Sequence, residues 1–381
     1  MNLRRAGILA LLALSLMACG KDKDLRKPTE LKDIVNPTFK TRVEWDSSAG
    51  SGSRLQYTGL RMALEADALF SADVDGDVYA FDPKNGKRIW RSETKARIAS
   101  GPSVSGDAVL VGTLDGEVIA LKRADGKQLW RSKLSSEVLT APAGNGSLLV
   151  AKTIDGKVYG LSANKGERQW VFDRSVPNLT LRGLSAPVID GDHAFVGMDN
   201  GRLIALHLAD GSPIWEQGVA VGTGRTELER LTDIDAELLI SGNSIYAVSF
   251  GGELTCMDTE TGQVTWRRSI KSYSGIALVG ELLVVTDDNG VVWALDVKTG
   301  AASWKQEGLL YRKLSPPAVF ADRIVVGDFE GYLHWLDPKD GHIVARSHPG
   351  SDPIRAPMVA GQNLLYVMDA EGQISAVTVK P

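Results

Sequence analysis

The chain has 381 residues, of which 43% are hydrophobic and 24% are charged. This composition suits one large globular domain, and the net charge of −4 argues against nucleic-acid binding. The two cysteines, Cys19 and Cys256, are too few for a disulfide framework.

The start of the chain predicts a signal peptide that ends at a lipidation site. Two arginines precede an apolar stretch, residues 8–17, that is too short to cross a bilayer as a helix. Residues 16–19 read Leu-Met-Ala-Cys and resemble a bacterial lipobox. We therefore expect residues 1–18 to be removed and Cys19 to carry lipid. Gly20 favours the outer membrane, because an aspartate there would resemble an inner-membrane retention signal. The alternative is a plain secreted protein.

A charged, proline-bearing stretch follows, which predicts a lipidated flexible tether over residues 19–37. The folded domain is predicted to span residues 38–381. It opens with a strand-like segment, residues 39–45, that ends in Trp45 and precedes the first repeat.

One unit then recurs along the chain with a period of roughly 40 residues, which is typical of propeller blades. Seven copies contain two glycines ten residues apart, and in six of them a tryptophan follows the second glycine by four. The pairs are Gly76 and Gly86, Gly116 and Gly126, Gly156 and Gly166, Gly201 and Gly211, Gly252 and Gly262, Gly290 and Gly300, and Gly331 and Gly341. The tryptophans are Trp90, Trp130, Trp170, Trp215, Trp266 and Trp304, with Ala345 in the seventh copy.

Each copy predicts a four-stranded antiparallel blade. In the second copy, short apolar runs at 109–112, 118–121 and 128–130 are separated by Asp-Gly turns, and a fourth strand is inferred near Pro102. No helical period is visible. We expect the tryptophans on the outermost strands, packed over the neighbouring blade rather than facing the central channel.

The ends of the chain predict how the ring closes. An eighth copy begins at Gly372 but stops before its second glycine and tryptophan. The segment that ends in Trp45 supplies the missing strand. The sequence therefore predicts an all-β, eight-bladed propeller in which the N-terminal strand completes the last blade.

Two inserted segments interrupt the repeat. In the early copies the proline of the next blade follows the tryptophan closely, but the stretch from Trp170 to Pro187 is longer, and the excess after Trp215 is larger still. Both insertions lie in connections between blades, side by side on one rim, where binding surfaces of repeat proteins often lie. We expect them in loops outside the repeat core.

The contents of the two insertions favour protein docking. Residues 176–183 alternate apolar with polar side chains, and residues 222–235 carry charges of both signs. Apolar residues beside an arginine are common interface anchors. The alternative is that the leucines pack beneath their own loop and the charges are solvated. The candidate partner-binding residues are Leu179, Leu181, Arg182, Arg225, Glu227, Arg230, Asp233 and Asp235.

No catalytic, metal or cofactor site is predicted. The Asp-rich residues 73–77 lack EF-hand spacing and read as a turn. Cys256 lies in an apolar strand, which favours a buried, inert thiol. The five histidines occur at repeat-equivalent positions without a nucleophile motif beside them, namely His193, His207, His334, His342 and His348.

The lipobox, the eight repeats, and the segments 176–187, 230–235 and 330–337 together resemble the BamB family. These are propeller lipoproteins of the outer-membrane β-barrel assembly machinery. The resemblance implies a non-enzymatic scaffold that docks on the periplasmic POTRA domains of BamA and assists unfolded outer-membrane proteins. It also implies that the contacting positions are Leu179, Leu181, Arg182, Asp233 and Asp235.

Two other interpretations remain open. Quinoprotein dehydrogenases share the repeats, but they stack pyrroloquinoline quinone beside a vicinal cysteine pair, which this sequence lacks, and hold calcium in the ring centre. A lipid-anchored propeller with another envelope partner, such as polysaccharide machinery, is the second.

Overall fold

In the computed structural model, which describes residues 26–54, 56, 58–174, 183–220 and 232–380, the chain forms a ring of eight β-sheets. Each sheet is one blade of four antiparallel strands, and the second blade has one further short strand that runs parallel to its neighbour. The predicted eight-bladed propeller is therefore confirmed. Among the residues described, no helix is long and apolar enough to cross a bilayer.

Two strands precede the first blade, β1 (Lys40–Ser48) and β2 (Gly59–Leu60). The next sixteen strands form blades 1 to 4 in groups of four: β3 (Ala63–Leu64), β4 (Leu69–Ala72), β5 (Asp77–Phe81) and β6 (Arg88–Glu93); β7 (Ile98–Ser105), β8 (Ala108–Thr113), β9 (Glu117–Lys122) and β10 (Gln128–Lys133); β11 (Ala143–Gly144), β12 (Leu148–Lys152), β13 (Lys157–Ser162) and β14 (Arg168–Asp173); β15 (Val188–Asp190), β16 (His193–Gly197), β17 (Arg202–His207) and β18 (Pro213–Gly218).

Blades 5 to 7 follow the same order, and blade 8 takes its fourth strand from the start of the chain. These strands are β19 (Leu239–Ser241), β20 (Ser244–Val248), β21 (Glu253–Asp258) and β22 (Val264–Ser269); β23 (Gly275–Val279), β24 (Leu282–Thr286), β25 (Val292–Asp296) and β26 (Ala302–Gln306); β27 (Ala318–Phe320), β28 (Arg323–Gly327), β29 (Leu333–Leu336) and β30 (Ile343–Ser347); β31 (Val359–Ala360), β32 (Leu365–Met368), β33 (Gln373–Lys380) and β1.

Strand β1 closes the ring. It pairs antiparallel with β33, from Lys40 opposite Lys380 to Ser48 opposite Gln373, with one irregularity between Val43 and Trp45. Because the first and last parts of the chain share one sheet, the closure needs no covalent bond, as the sequence predicts.

The alternating strand directions give the ring two faces. The first strand of each blade is innermost and lines the channel, and the fourth is outermost. The connection face carries the links from one blade to the next and the turns between second and third strands. The Leu134 amide, for example, donates to the Gly116 carbonyl at 2.8 Å. The hairpin face carries the other two turns of each blade.

Stacking explains the burial pattern within a blade. All six residues of β8 are buried because a blade covers each of its faces, whereas β10 buries fully only Trp130. A continuous apolar run therefore marks the middle strands, and an isolated tryptophan marks the outer one.

The tryptophans lie between blades. Trp90 on β6 donates its indole N–H to the Arg123 carbonyl at 2.9 Å and covers Gly126 of the next blade. A Cβ at Gly126 would overlap the indole ring, and this glycine has φ of +71°, so both its backbone and its surroundings require glycine. Six other tryptophans donate in the same way, namely Trp45, Trp130, Trp170, Trp215, Trp266 and Trp304.

The junction between blades 7 and 8 is packed differently, because Ala345 replaces the tryptophan there. Trp335 on β29 is fully buried and meets Phe39 edge to face, with ring centroids 5.5 Å apart. Its indole N–H donates to Ser347 at 3.0 Å. The aromatic ring that fills this junction thus comes from the third strand instead of the fourth.

Candidate partner-binding site

Two long connections lie side by side on the connection face, between blades 3 and 4 and between blades 4 and 5. They comprise residues 174–187 and 219–238, compared with only 94–97 between blades 1 and 2. We call them the first and the second insertion. Their positions follow the spacing in the sequence. Six candidate residues lie outside the described residues, namely Leu179, Leu181, Arg182, Arg225, Glu227 and Arg230.

The other two candidates, Asp233 and Asp235, are buried. Their exposed fractions are 0% and 4%, and Ile234 between them packs in the apolar cluster of blades 4 and 5. The Asp233 carbonyl accepts a hydrogen bond from the Phe250 amide at 3.0 Å. The expectation that they lie outside the core is wrong, because Ile234 draws the end of the second insertion between the blades. Their part in partner binding stays a prediction.

Lys152, at the end of β12, supplies a cation to this buried region. It is 4% exposed, and its ammonium donates to the carbonyls of Gly197 at 3.0 Å and Gly183 at 3.3 Å. The ammonium also lies 3.3 Å from the Asp199 carboxylate. Because Gly183 belongs to the first insertion, one lysine of blade 3 fixes the end of that insertion to blade 4.

Acidic groups outnumber this cation. We call Lys152, Asp199, Asp233 and Asp235 the acidic foot. Burial raises the pKa of Asp235 to about 8, assisted by the charges of Asp233 and Asp199 and opposed by Lys152. Among the described residues, nothing hydrogen-bonds to Oδ1 of Asp235. This carboxyl therefore keeps a proton near neutral pH and would release it if a second cation approached.

A third long connection, residues 49–62, crosses the channel mouth on the same face. Within it, β2 pairs in parallel with β7, and Arg61 donates to the Glu237 carboxylate at 3.1 Å. Blade 5, which Glu237 precedes, is opposite blade 1, so this ion pair spans the channel. A cavity of about 360 Å³ lies at this mouth, with Leu184 and Met368 among its lining.

The sequence held a signal for the third connection and for Lys152. Across the third connection, the spacing from Trp45 to the first glycine of the next copy, Gly76, is as long as the equivalent spacing across the first insertion, and longer than that from Trp90 to Gly116. Lys152 occupies a repeat position that is uncharged in the other copies, which have Ala72, Gly112, Gly197, Val248, Thr286, Gly327 and Met368.

The other reactive side chains have structural partners. His334 and Asp328 are both fully buried and lie 2.9 Å apart, with Arg312 at 2.7 Å from the same carboxylate. Asp73 accepts hydrogen bonds from the amides of its own turn. Cys256 is buried, and burial raises the pKa of its thiol. Within the described parts of the chain, no group of three His, Cys, Asp or Glu residues could hold a metal ion.

Known proteins resemble the chain over most of its length. A family model described as outer membrane protein assembly factor BamB matches residues 74–306. The outer membrane protein assembly factor BamB of Alkalilimnicola ehrlichii is 48% identical over 374 residues, which cover 98% of this chain and 97% of that protein. The structure of BamB from Moraxella catarrhalis has a TM-score of 0.80 at 27% identity and covers 87% of this chain and 98% of that one. Quinohemoprotein alcohol dehydrogenase from Comamonas testosteroni, with a TM-score of 0.74 at 13% identity over 92% of this chain and 78% of its own, shares the fold alone.

Proposed function

This chain belongs to the BamB family of outer-membrane protein assembly factors, and we propose that it is a non-enzymatic accessory subunit of the assembly complex. In this role it docks on the periplasmic POTRA domains of a BamA-like barrel protein and assists the folding and insertion of outer-membrane proteins. The observation that carries the proposal is the pair of neighbouring insertions, whose ends are both held by the acidic foot.

The insertions have the construction of a docking site. A site that binds a protein needs side chains held by a rigid base, because ordering them on binding costs free energy. Lys152 and Gly183 provide such a base for the first insertion, and Asp233 and Ile234 provide it for the second. Leu179, Leu181 and Arg182 then supply the apolar and cationic contacts.

The acidic foot adds a binding element beneath these contacts. A partner's arginine or lysine that reached Asp235 would replace its proton and donate a buried, charge-assisted hydrogen bond to the carboxylate. Charge reversal at Asp233 or Asp235 would not test docking cleanly, because both residues are buried and the change would also disturb folding.

Docking can be tested with the purified periplasmic domains of the BamA-like partner, by measuring their binding to the mature chain at moderate salt. The proposal predicts a saturable one-to-one complex. Co-purification from detergent-solubilised native envelopes tests the same partner in its membrane. Recovery of a different envelope complex, such as polysaccharide machinery, together with no binding to POTRA domains, would replace this proposal.

The anchor is a further part of the proposal. We place the chain on the periplasmic side of the outer membrane, attached through lipid on Cys19. Cys19→Ala should release the protein into the periplasm or leave it unprocessed, as measured by fractionation. Full outer-membrane attachment of this variant would show that lipid at this residue is not the anchor.

A quinoprotein dehydrogenase is the rival from another class, and the cavity at the channel mouth is where such a cofactor would have to bind. The residues there do not fit it well. The sequence has no vicinal cysteine pair, and the Arg61–Glu237 ion pair crosses the mouth. The rival predicts quinone absorbance and stoichiometric calcium in protein purified from its native host. Our proposal predicts neither.

A further inference from the structure

The described part of the predicted tether lies against blade 7. We call residues 29–38 the strap. At one end, the Thr29 amide donates to the Leu310 carbonyl at 2.9 Å, and Arg312 donates to the Thr29 carbonyl at 3.1 Å. At the other end, the Thr38 amide donates to the Val344 carbonyl at 3.1 Å. The sequence predicts a flexible tether as far as residue 37, whereas these contacts hold its second half.

The strap runs from one face of the ring to the other. Leu310 and Arg312 lie in the connection between blades 6 and 7, which is on the connection face. Val344 is at the start of β30, next to the hairpin face, and Thr38 leads directly into β1. The strap therefore carries the N-terminal end of the chain from the hairpin face, where β1 starts, to the connection face.

Side chains hold the strap between its two ends. Leu31 packs on the apolar cluster between blades 6 and 7, which includes Leu309 and Leu336. Arg346 on β30 donates to the Lys32 carbonyl at 2.9 Å. Val35, in contrast, is 83% exposed and contributes little.

The strap also shortens the free tether. Without it, 21 residue steps would separate Cys19 from the start of β1 at Lys40, a reach of up to about 75 Å. With it, only ten steps separate Cys19 from Thr29, where the strap is first held, a reach of at most about 36 Å. A lipid on Cys19 can then lie close to one part of the ring only.

We propose that the strap selects the membrane-facing edge of the ring, which is the edge of the connection face at blades 6 and 7. This edge lies against the phospholipid headgroups. The insertions follow blades 3 and 4, so the first lies three blade positions and the second two blade positions around the ring from this edge. The inference rests on the proposed anchoring at Cys19.

The test attaches the chain to a bilayer without the lipidation machinery. The mature chain from Cys19 is coupled through that thiol to vesicles of phosphatidylethanolamine and phosphatidylglycerol that contain a maleimide lipid. Cys256 is 1% exposed and should not react. A photoactivatable amino acid is placed at Glu307, on the connection face after β26, or at Lys339, in the hairpin-face turn before β30. Crosslinking to lipid is then measured.

We expect at least fivefold more crosslinking from position 307 than from 339. Leu31→Asp should release the strap and bring the two yields within about twofold, whereas the matched control Val35→Asp should keep the difference. Ten Gly/Ser residues inserted between Cys19 and Arg26 lengthen the tether without touching the ring, and this change should also reduce the difference. It replaces the Leu31→Asp test if that variant is unstable.

Equal yields from the two positions in the unaltered chain would overturn the proposal, as would an unchanged ratio in a folded Leu31→Asp protein or in the lengthened one. Because the thioether replaces the lipid, these outcomes do not depend on whether cells lipidate Cys19. The Cys19→Ala fractionation reports on that separately.

Discussion

Two buried charge networks lie on the connection face, each at the end of the second strand of a blade, and they differ in balance. Beneath the strap, Arg312 meets Asp328 and His334, with Arg346 behind the histidine. In the acidic foot, Lys152 pairs with Asp199, and the charges of Asp233, Lys152 and Asp199 act on Asp235. Neighbouring positions at the same end of the second strand thus take part in two differently charged networks.

The network beneath the strap is internally satisfied. Arg346 donates to Nδ1 of His334 at 3.2 Å, so the histidine proton is on Nε2 and is donated to Asp328. Burial lowers the pKa of His334, in keeping with this neutral form. Burial alone would raise the pKa of Asp328, but His334 and Arg312 outweigh it and lower the pKa. Such a network joins blade and strap.

In the acidic foot, the raised pKa of Asp235 keeps its carboxyl protonated, and its Oδ1 accepts no hydrogen bond from the described residues. Buried carboxyls without full compensation are costly, so proteins retain them where they serve binding or switching. One network therefore serves the ring, whereas the other is suited to bind a partner's arginine or lysine.

The largest effect should come from breaking the balanced network. Asp328→Ala leaves Arg312 buried without its main counter-charge and should cost about 3–5 kcal/mol of unfolding free energy. Denaturant unfolding measures it. Asp115→Ala is the control, because it removes an exposed ion pair with Arg97 that should contribute little to stability. Equal losses in the two variants would mean that the buried network is not stabilising.

Removing the cation of the acidic foot should cost less. Lys152→Met leaves the carbonyls of Gly183 and Gly197 and the Asp199 carboxylate without this donor. The unfolding free energy should fall by about 1–3 kcal/mol at pH 8. The loss should shrink at pH 5, because Asp235, with its raised pKa, is then protonated and no longer needs a cation. A loss of stability that is independent of pH would show that the foot is as balanced as the network of blade 7.

The effect of Asp235→Asn should grow as pH rises. The folded-state pKa of about 8 lies above the ordinary value of 3.8, so the folded protein holds the proton more tightly than the unfolded chain does. The stability from this group is present below pH 4 and is lost as pH rises to 8. The asparagine variant should match wild type near pH 4 and exceed it at pH 8. Asp107→Asn, on an exposed turn, is the control and should keep the wild-type dependence of stability on pH. If Asp235→Asn also kept the wild-type dependence, the raised pKa of Asp235 would be refuted.

The sequence predicts most of the ring because the information is local and repeated. The contact between Trp90 and Gly126 requires only a fixed spacing in each copy, and the strand that ends in Trp45 is recognisable because copy eight lacks it. Burial of Asp233 and Asp235 could not be predicted in this way. It depends on Ile234, which packs in the apolar cluster of blades 4 and 5 although it lies in an insertion outside the repeat.

The strap was missed for a related reason. Its composition is that of a tether, with charged residues and prolines, and most of its contacts use backbone carbonyls that carry no sequence signal. Leu31 packs against the ring, but Val35, which is 83% exposed, gives the same apolar signal in the sequence. Sequence patterns therefore located the insertions on the rim but not the charge networks that hold the connection face.

The most direct test of the central claim, that the insertions above the acidic foot bind the POTRA domains, is the affinity of purified POTRA domains for two pairs of variants. Arg182→Glu and Leu181→Asp alter the first insertion, and Lys84→Glu and Lys298→Glu alter hairpin-face turns of blades 1 and 6. We predict that each insertion variant binds about 30-fold more weakly or worse, while each hairpin-face variant stays within about twofold of wild type. Wild-type affinity in a folded Arg182→Glu protein, or an equal loss in all four variants, would contradict docking through the insertions.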